Sequence, residues 1–262
     1  MKKQATLFLA LFIGIATTKA ENPFSLIKKD TSTYNCYVGV HLGIASPVGE
    51  FSDTKQGGAK TGKCYGATLN MPFSKYFIGP SLRFNYSSYD FSGDAFVQAQ
   101  QNIVNVTTFY NGHYYVITPG ASTTYTHYEY MGGIMASFPY HKFSIDLRVL
   151  GGMMTSIKSS QNAYLTDRST NQDITMSQGS SKQKSGIFCI GSTVRYLVGK
   201  NQNFFICLNI DYTSSMVDYQ FQTHGLTVSN LGQVFLTDYS EKKSFNANSI
   251  NTSAGIGLLL GK

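Results

Sequence analysis

The sequence predicts an all-β chain folded as an eight-stranded antiparallel up-and-down transmembrane β-barrel. Strict polar/apolar alternation recurs in Val38-Gly39-Val40-His41-Leu42-Gly43-Ile44, from Phe143 to Val149 and from Phe204 to Tyr212. Alternation of this length is a strand signal. The charged residues of these segments share one face, with Val, Ile, Leu, Phe and Tyr on the other. A soluble barrel encloses its apolar face. Here the enclosed face carries Arg and Asp, so the apolar face needs lipid as its solvent. The connections alternate between long and very short, which separates the two ends of a spanning barrel.

Residues 1–20 begin with Lys2 and Lys3, continue as an apolar run from Leu7 to Ala16 and end in Thr18-Lys19-Ala20. This reads as a secretory signal peptide cleaved near Ala20. The run is too short to cross a bilayer as a helix. Residues 21–33 read as a short periplasmic lead, and 34–262 as the barrel. Strand one covers about 34–46 and breaks at Ser46-Pro47-Val48-Gly49-Glu50-Phe51. Strand two, about 62–72, meets the tight connection Pro72-Phe73-Ser74-Lys75. Strand three, about 76–88, leads into a long loop. Strands four and five, about 124–137 and 142–155, flank the turn Pro139-Tyr140-His141-Lys142. Strands six and seven, about 186–198 and 203–216, flank Gly199-Lys200-Asn201-Gln202. Strand eight covers about 246–260. An even count with short turns at one end puts both termini on the short-turn side.

Outward aromatics gather at the strand ends. Tyr76, Phe138, Phe143, Tyr196 and Phe204 lie near the short turns, and Tyr65, Tyr86, Tyr128, Phe188 and Tyr212 near the long loops. Two such belts mark membrane–water interfaces. The formal charge of +7 falls to +4 without Lys2, Lys3 and Lys19 (7 − 3). The remaining excess is spread over loops, with no dense basic stripe for nucleic acid. It suits attraction to anionic headgroups or surface polysaccharide. Cys189 and Cys207 face inward on neighbouring strands but are offset by roughly 20 Å at strand rise, beyond disulfide reach. The four cysteines read as free thiols, and none has zinc spacing.

The Gly-rich first strand running into Pro47-Val48-Gly49-Glu50-Phe51, and the last strand Ser253-Ala254-Gly255-Ile256-Gly257-Leu258-Leu259-Leu260, carry a resemblance. The chain resembles the small eight-stranded bacterial outer-membrane β-barrels, such as the transmembrane domain of outer membrane protein A and the opacity-like surface proteins. The last strand is similar to that family's assembly signal, although the family usually ends on an aromatic residue and this chain ends Gly261-Lys262. The resemblance implies a bacterial outer-membrane location after export, outer-membrane lipid as the surroundings, and a monomer. It implies roles from anchoring to adhesion and small-solute passage, because fold alone selects none.

Alternation puts His41, Thr68, Asn70, Arg83, Asn85, His127, Glu129, Asp146, Arg148, Thr193, Arg195, Asn209 and Asp211 inside. Arg83, Arg148 and Arg195 face Glu129, Asp146 and Asp211. Balanced charge reads as a lumen polar network that fills the barrel, whereas a selectivity filter needs one dominant sign. His127 and Glu129 are neighbours on one strand face, which proximity alone explains. No catalytic, cofactor or metal residue is assigned, and no phosphate loop or nucleophile elbow is present. The long loops are rich in Ser, Thr, Asn, Gln and Tyr, a composition suited to an extracellular ligand or simply to solubility. The first expectation is a non-enzymatic barrel serving envelope integrity or surface contact. The alternatives are a narrow pore and a lipid-modifying enzyme.

Overall fold

The computed structural model describes residues 36–54, 56–73, 77–91, 94–103, 109–110, 113–120, 123–167, 172–199, 203–228 and 234–260. The expected signal peptide and periplasmic lead lie outside these residues, as do Tyr76 and parts of two short turns. In chain order the strands are β1 (Cys36–Val48), β2 (Gly62–Asn70), β3 (Ile78–Phe91), β4 (Phe109–Tyr110), β5 (His113–Pro119), β6 (Thr123–Tyr140) and β7 (Phe143–Lys158). There follow β8 (Gln161–Asp167), β9 (Gln172–Gln178), β10 (Ser181–Val198), β11 (Phe204–Val228), β12 (Val234–Asn246) and β13 (Asn248–Leu260). A 3-10 turn, Gly49–Phe51, follows β1, and helix α1 (Asp94–Ile103) follows β3.

Eight of these strands close a ring. Antiparallel pairs run β1–β2–β3–β6–β7–β10–β11–β13 and back to β1. They are the eight strands expected from sequence, most with ends shifted by two to five residues. Closure leaves no unpaired edge in the lipid, the condition for a sheet to cross a membrane. The short connections mark the lower rim and the long ones the upper rim. Tyr140 pairs with Phe143 across a two-residue turn, with His141 at φ 55°.

The long connections are more ordered than loops. They hold β4, β5, β8, β9, β12 and α1, and β11 runs far past its expected end at 216. Above the barrel, β12, β11, β9, β8, β5 and β4 pair in that order into an upper sheet. Phe96 and Val97 of α1 pack with Ile117, Leu165, Met176 and Leu226 as its own apolar core.

One strand explains why this part escaped the sequence reading. Along the lower half of β11, Cys207, Asn209 and Asp211 point in while Ile206, Leu208 and Ile210 point out. Along its upper half, Val217, Tyr219 and Phe221 point in while Asp218, Gln220 and Gln222 point out. The facing is unchanged but the polarity inverts, as it must where a strand leaves lipid for water. The inversion falls between Tyr212 and Val217. At that height Tyr65 packs on Tyr86 and Tyr86 on Tyr128, with ring centroids 6.2 and 5.3 Å apart. Near the lower rim Phe77–Phe138 and Phe143–Tyr196 are 5.5 and 4.8 Å apart. These two tiers bound the spanning segment. Cys64, Cys189 and Cys207 are buried in the barrel, Cys36 is half-buried, and all four are free thiols.

Candidate functional site

The lumen is built in layers, each from inward residues of several strands. Tyr37, Leu197 and Phe205 form an apolar floor near the short turns, and Met135, cross-strand from Arg148, packs in the same cluster. Directly above, Asp146 accepts from Arg195 Nε at 2.5 Å and Nη2 at 2.9 Å, from Tyr37 Oη at 2.6 Å and from Ser137 Oγ at 2.6 Å. The Arg195 guanidinium also lies 4.0 Å over the Tyr37 ring. Every polar atom of this carboxylate therefore meets a donor, which makes a buried charge tolerable.

The next layer centres on Asp211. Arg148 donates to its Oδ1 from Nε at 2.9 Å and from Nη2 at 2.6 Å. Arg83 Nη2 stands 2.6 Å from Oδ2, an ion pair bent off the hydrogen-bond direction. Arg83 Nε donates to Asn85 Oδ1 at 3.0 Å, and Asn85 Nδ2 donates to Glu129 Oε2 at 2.9 Å. Glu129 thus reaches Arg83 through Asn85, while Asp211 serves two arginines. His41 Nε2 sits 3.0 Å from Arg83 Nη2 and 3.1 Å from Asn85 Oδ1. Thr193 contacts Arg148 and donates to Asn209 Oδ1 at 2.6 Å. Glycines make room for this layer. A Cβ at Gly66 would stand 2.4 Å from His41 Nε2.

All six charged residues assigned to the lumen are buried there, together with His41, Thr68, Asn70, Asn85, His127, Thr193 and Asn209. The structure brings Arg83, Arg148 and Asp211 into one cluster and Arg195 and Asp146 into another. His127 and Glu129 do not form a dyad. His127 stacks on Phe51, with centroids 5.3 Å apart, and its Nε2 has no hydrogen-bond partner.

Sequence reasoning missed the upper closure. The 3-10 turn after β1 drives Phe51 into the barrel mouth, where it is fully buried. Phe51 packs edge-on to Tyr89 at 4.9 Å and Tyr125 at 5.3 Å, and stacks on Phe245 at 6.0 Å. Tyr125 Oη donates to Gly57 O at 2.8 Å, and Glu50 accepts from Asn246 N at 2.7 Å. The Pro47-Val48-Gly49-Glu50-Phe51 segment was legible as a break. Its inward fold was not, because nothing local tells Phe51 from a lipid-facing ring.

Level with the aromatic layer, paired with Tyr125 and three residues beyond Thr155, the partner of Tyr128 in the upper belt, Lys158 is 3% exposed. Its Nζ donates to Gln178 Oε1 at 2.6 Å and lies 4.6 Å from the centres of Phe91 and Phe221. Gln178 Nε2 donates to Glu241 Oε2 at 2.9 Å. Burial, with a smaller push from Lys243, lowers the Lys158 amine to about 7, against the pull of Glu241. This knot ties β7 of the barrel to β9 and β12 of the upper sheet. Among the described residues no group of His, Cys, Asp and Glu could hold a metal ion.

No family model and no curated protein matches the chain. Solved structures do. Neisserial surface protein A, from Neisseria, aligns over 86% of this chain and 97% of its own at 12% identity and a TM-score of 0.38. OprG of Pseudomonas aeruginosa aligns over 88% and 98% at 10% identity and a TM-score of 0.44. The outer-membrane protease OmpT of Escherichia coli aligns over 87% and 97% at 9% identity and a TM-score of 0.41. Likeness at this level transfers no activity, and the barrel rests on the chain's own strand pairing.

Proposed function

We propose that the barrel itself is a closed, non-enzymatic outer-membrane anchor that holds an ordered upper sheet at the cell surface, for envelope integrity or contact with the surroundings. The observation that carries this reading is the stacked filling of the lumen. An apolar floor, two ion-pair layers and the Phe51 aromatic layer succeed one another along the axis. Eight strands leave an interior just wide enough for such side chains. The apolar outer band supports the membrane location, and the balanced charge argues against a filter of one sign. The long connections, which in such barrels face the exterior, support placing the upper sheet outside. The signal peptide read over residues 1–20 is the matching route of export. A liposome-swelling assay on the refolded protein tests the reading. Swelling no faster than protein-free liposomes is expected, and rapid sugar entry favours the narrow pore.

A further inference from the structure

Four polar side chains stand in one row across the outer face of the upper sheet. Asn162 on β8 is paired with Ser177 on β9, Ser177 with His224 on β11, and His224 with Asp238 on β12. Their chain neighbours Gln161, Gln178 and Thr223 are buried, so alternation turns the row outward. Asn162 and Asp238 are exposed, and Ser177 and His224 half-buried. His224 Nδ1 and Asp238 Oδ1 are 2.7 Å apart.

That contact sets the imidazole's role. In the tautomer that donates Nδ1–H to this carboxylate, Nε2 is the accepting nitrogen. Asp238 on β12 flanks His224 on one side, and Ser177 on β9 is its paired neighbour on the other. Directly paired residues keep their Cβ atoms about 4.5–5.5 Å apart, so a χ1 rotation brings the Ser177 hydroxyl within reach of Nε2. Asn162, next in line, can aim its amide N–H groups at an oxygen beside Ser177.

We propose that this row is a hydrolytic site for neutral carboxylic esters in the aqueous phase. Ser177 Oγ attacks the ester carbonyl carbon as its proton passes to His224 Nε2. The carbonyl oxygen becomes an oxyanion that accepts from Asn162. The carbon–alkoxide bond then breaks, His224 returns the proton to the departing alcohol, and an acyl-serine remains. Water repeats the sequence, releasing the acid and restoring Ser177. Asp238 is a positioning residue. The row contains no cation to bind a phosphate, which favours a neutral ester. Tyr164, outward on β8, offers a ring beside the site for the acyl group. His224 lies twelve residues beyond Tyr212 of the upper belt on the same strand, about 40 Å of chain at about 3.3 Å per residue. Acyl chains buried in the membrane are out of range. The site lies on the sheet and does not depend on whether the lumen conducts. Sequence reasoning names no catalytic group here because the four residues are far apart in the chain and meet only through strand register.

The test uses the full chain refolded in detergent, with p-nitrophenyl acetate as substrate and a fluorophosphonate as covalent probe. The probe is expected on Ser177 by peptide mass spectrometry. Hydrolysis should fall at least about 100-fold in Ser177→Ala and His224→Gln, and roughly 100-fold in Asn162→Ala. Asp238→Asn should lower kcat with KM little changed, and Asp238→Glu should restore part of it. These surface variants should keep the wild-type shift in gel mobility on boiling, which reports the folded barrel. No adduct at Ser177, hydrolysis undiminished in Ser177→Ala, or release of fatty acid from phospholipid vesicles would each overturn the proposal.

Discussion

Gly191 on β10 faces Asp211 on β11 so closely that a Cβ at residue 191 would stand 1.8 Å from the carboxylate Oδ1. The same Cβ would lie 3.1 Å from Arg148 Nε. The missing side chain is what lets two arginines share one carboxylate inside a narrow barrel. Gly191→Ala should therefore destabilise the barrel by about 1–3 kcal/mol, the usual range for overpacking. Gly186→Ala, five residues away on the same strand, has nothing within 4 Å of the added methyl and should be near neutral. Urea unfolding of the two refolded variants, followed by band shift on unboiled gels, makes the comparison. Equal midpoints would mean that the lumen has slack at this layer.

Asp211→Asn removes the countercharge of Arg83 and Arg148 together. Breaking one side of a buried pair costs about 3–5 kcal/mol, and residual water would lower that. The expected outcome is a clear loss of stability and, where any ion leaks, a preference for anions because the surplus lumen charge becomes positive. Asp146→Asn should cost less, since Arg195 keeps Ser137, Ser144 and the Tyr37 ring. The reverse ranking would place the weight of the network on the lower layer.

Leu208 and Gln220 share the outward face of β11 on opposite sides of the polarity inversion. Leu208 is 64% exposed in the apolar band. Leu208→Arg should impair folding into bilayers by about 2–4 kcal/mol, the cost of Arg near the midplane. Gln220→Arg should be within about 0.5 kcal/mol of wild type, as for other surface changes. Folding into vesicles across a urea series measures both. Matching effects would shift the membrane boundary along the strand.

Lys158 links stability of the upper sheet to pH. Its amine titrates at about 7 in the folded chain against 10.5 ordinarily. Between those values the unfolded segment holds more protons, so stability rises with pH across the window. Below about pH 7 both states carry the proton, and the cost of the buried charge is complete. Hydrogen exchange of β8 and β9 amides, corrected for the intrinsic rate, should show stronger protection at pH 9 than at pH 6. Lys158→Met should flatten that difference. An unchanged pH profile in Lys158→Met would assign it to another group.

The spanning strands were legible because lipid outside and charge inside impose one alternation over each of them, as from Phe143 to Val149. The inward identity of Arg83, Glu129, Asp146, Arg148, Arg195 and Asp211 followed from the same parity. Their partners did not. That Asp211 serves two arginines while Glu129 takes an amide depends on how far each side chain reaches across the lumen. The upper half of β11 reads as loop from sequence, because Asp218, Gln220 and Gln222 look like surface once the apolar-out pattern stops. Strands β8, β9 and β12 carry the same water-facing pattern, which a lipid-facing alternation does not reveal.

Single-channel recording of the refolded wild-type protein in a planar bilayer measures whether the filled lumen is closed. The expected record has no steady conductance step, with the ion-pair layers and the Phe51 aromatic layer both in place. Steady porin-like steps in wild type, unchanged by Phe51→Ala or Asp211→Asn, would contradict a closed barrel and give the pore reading its place.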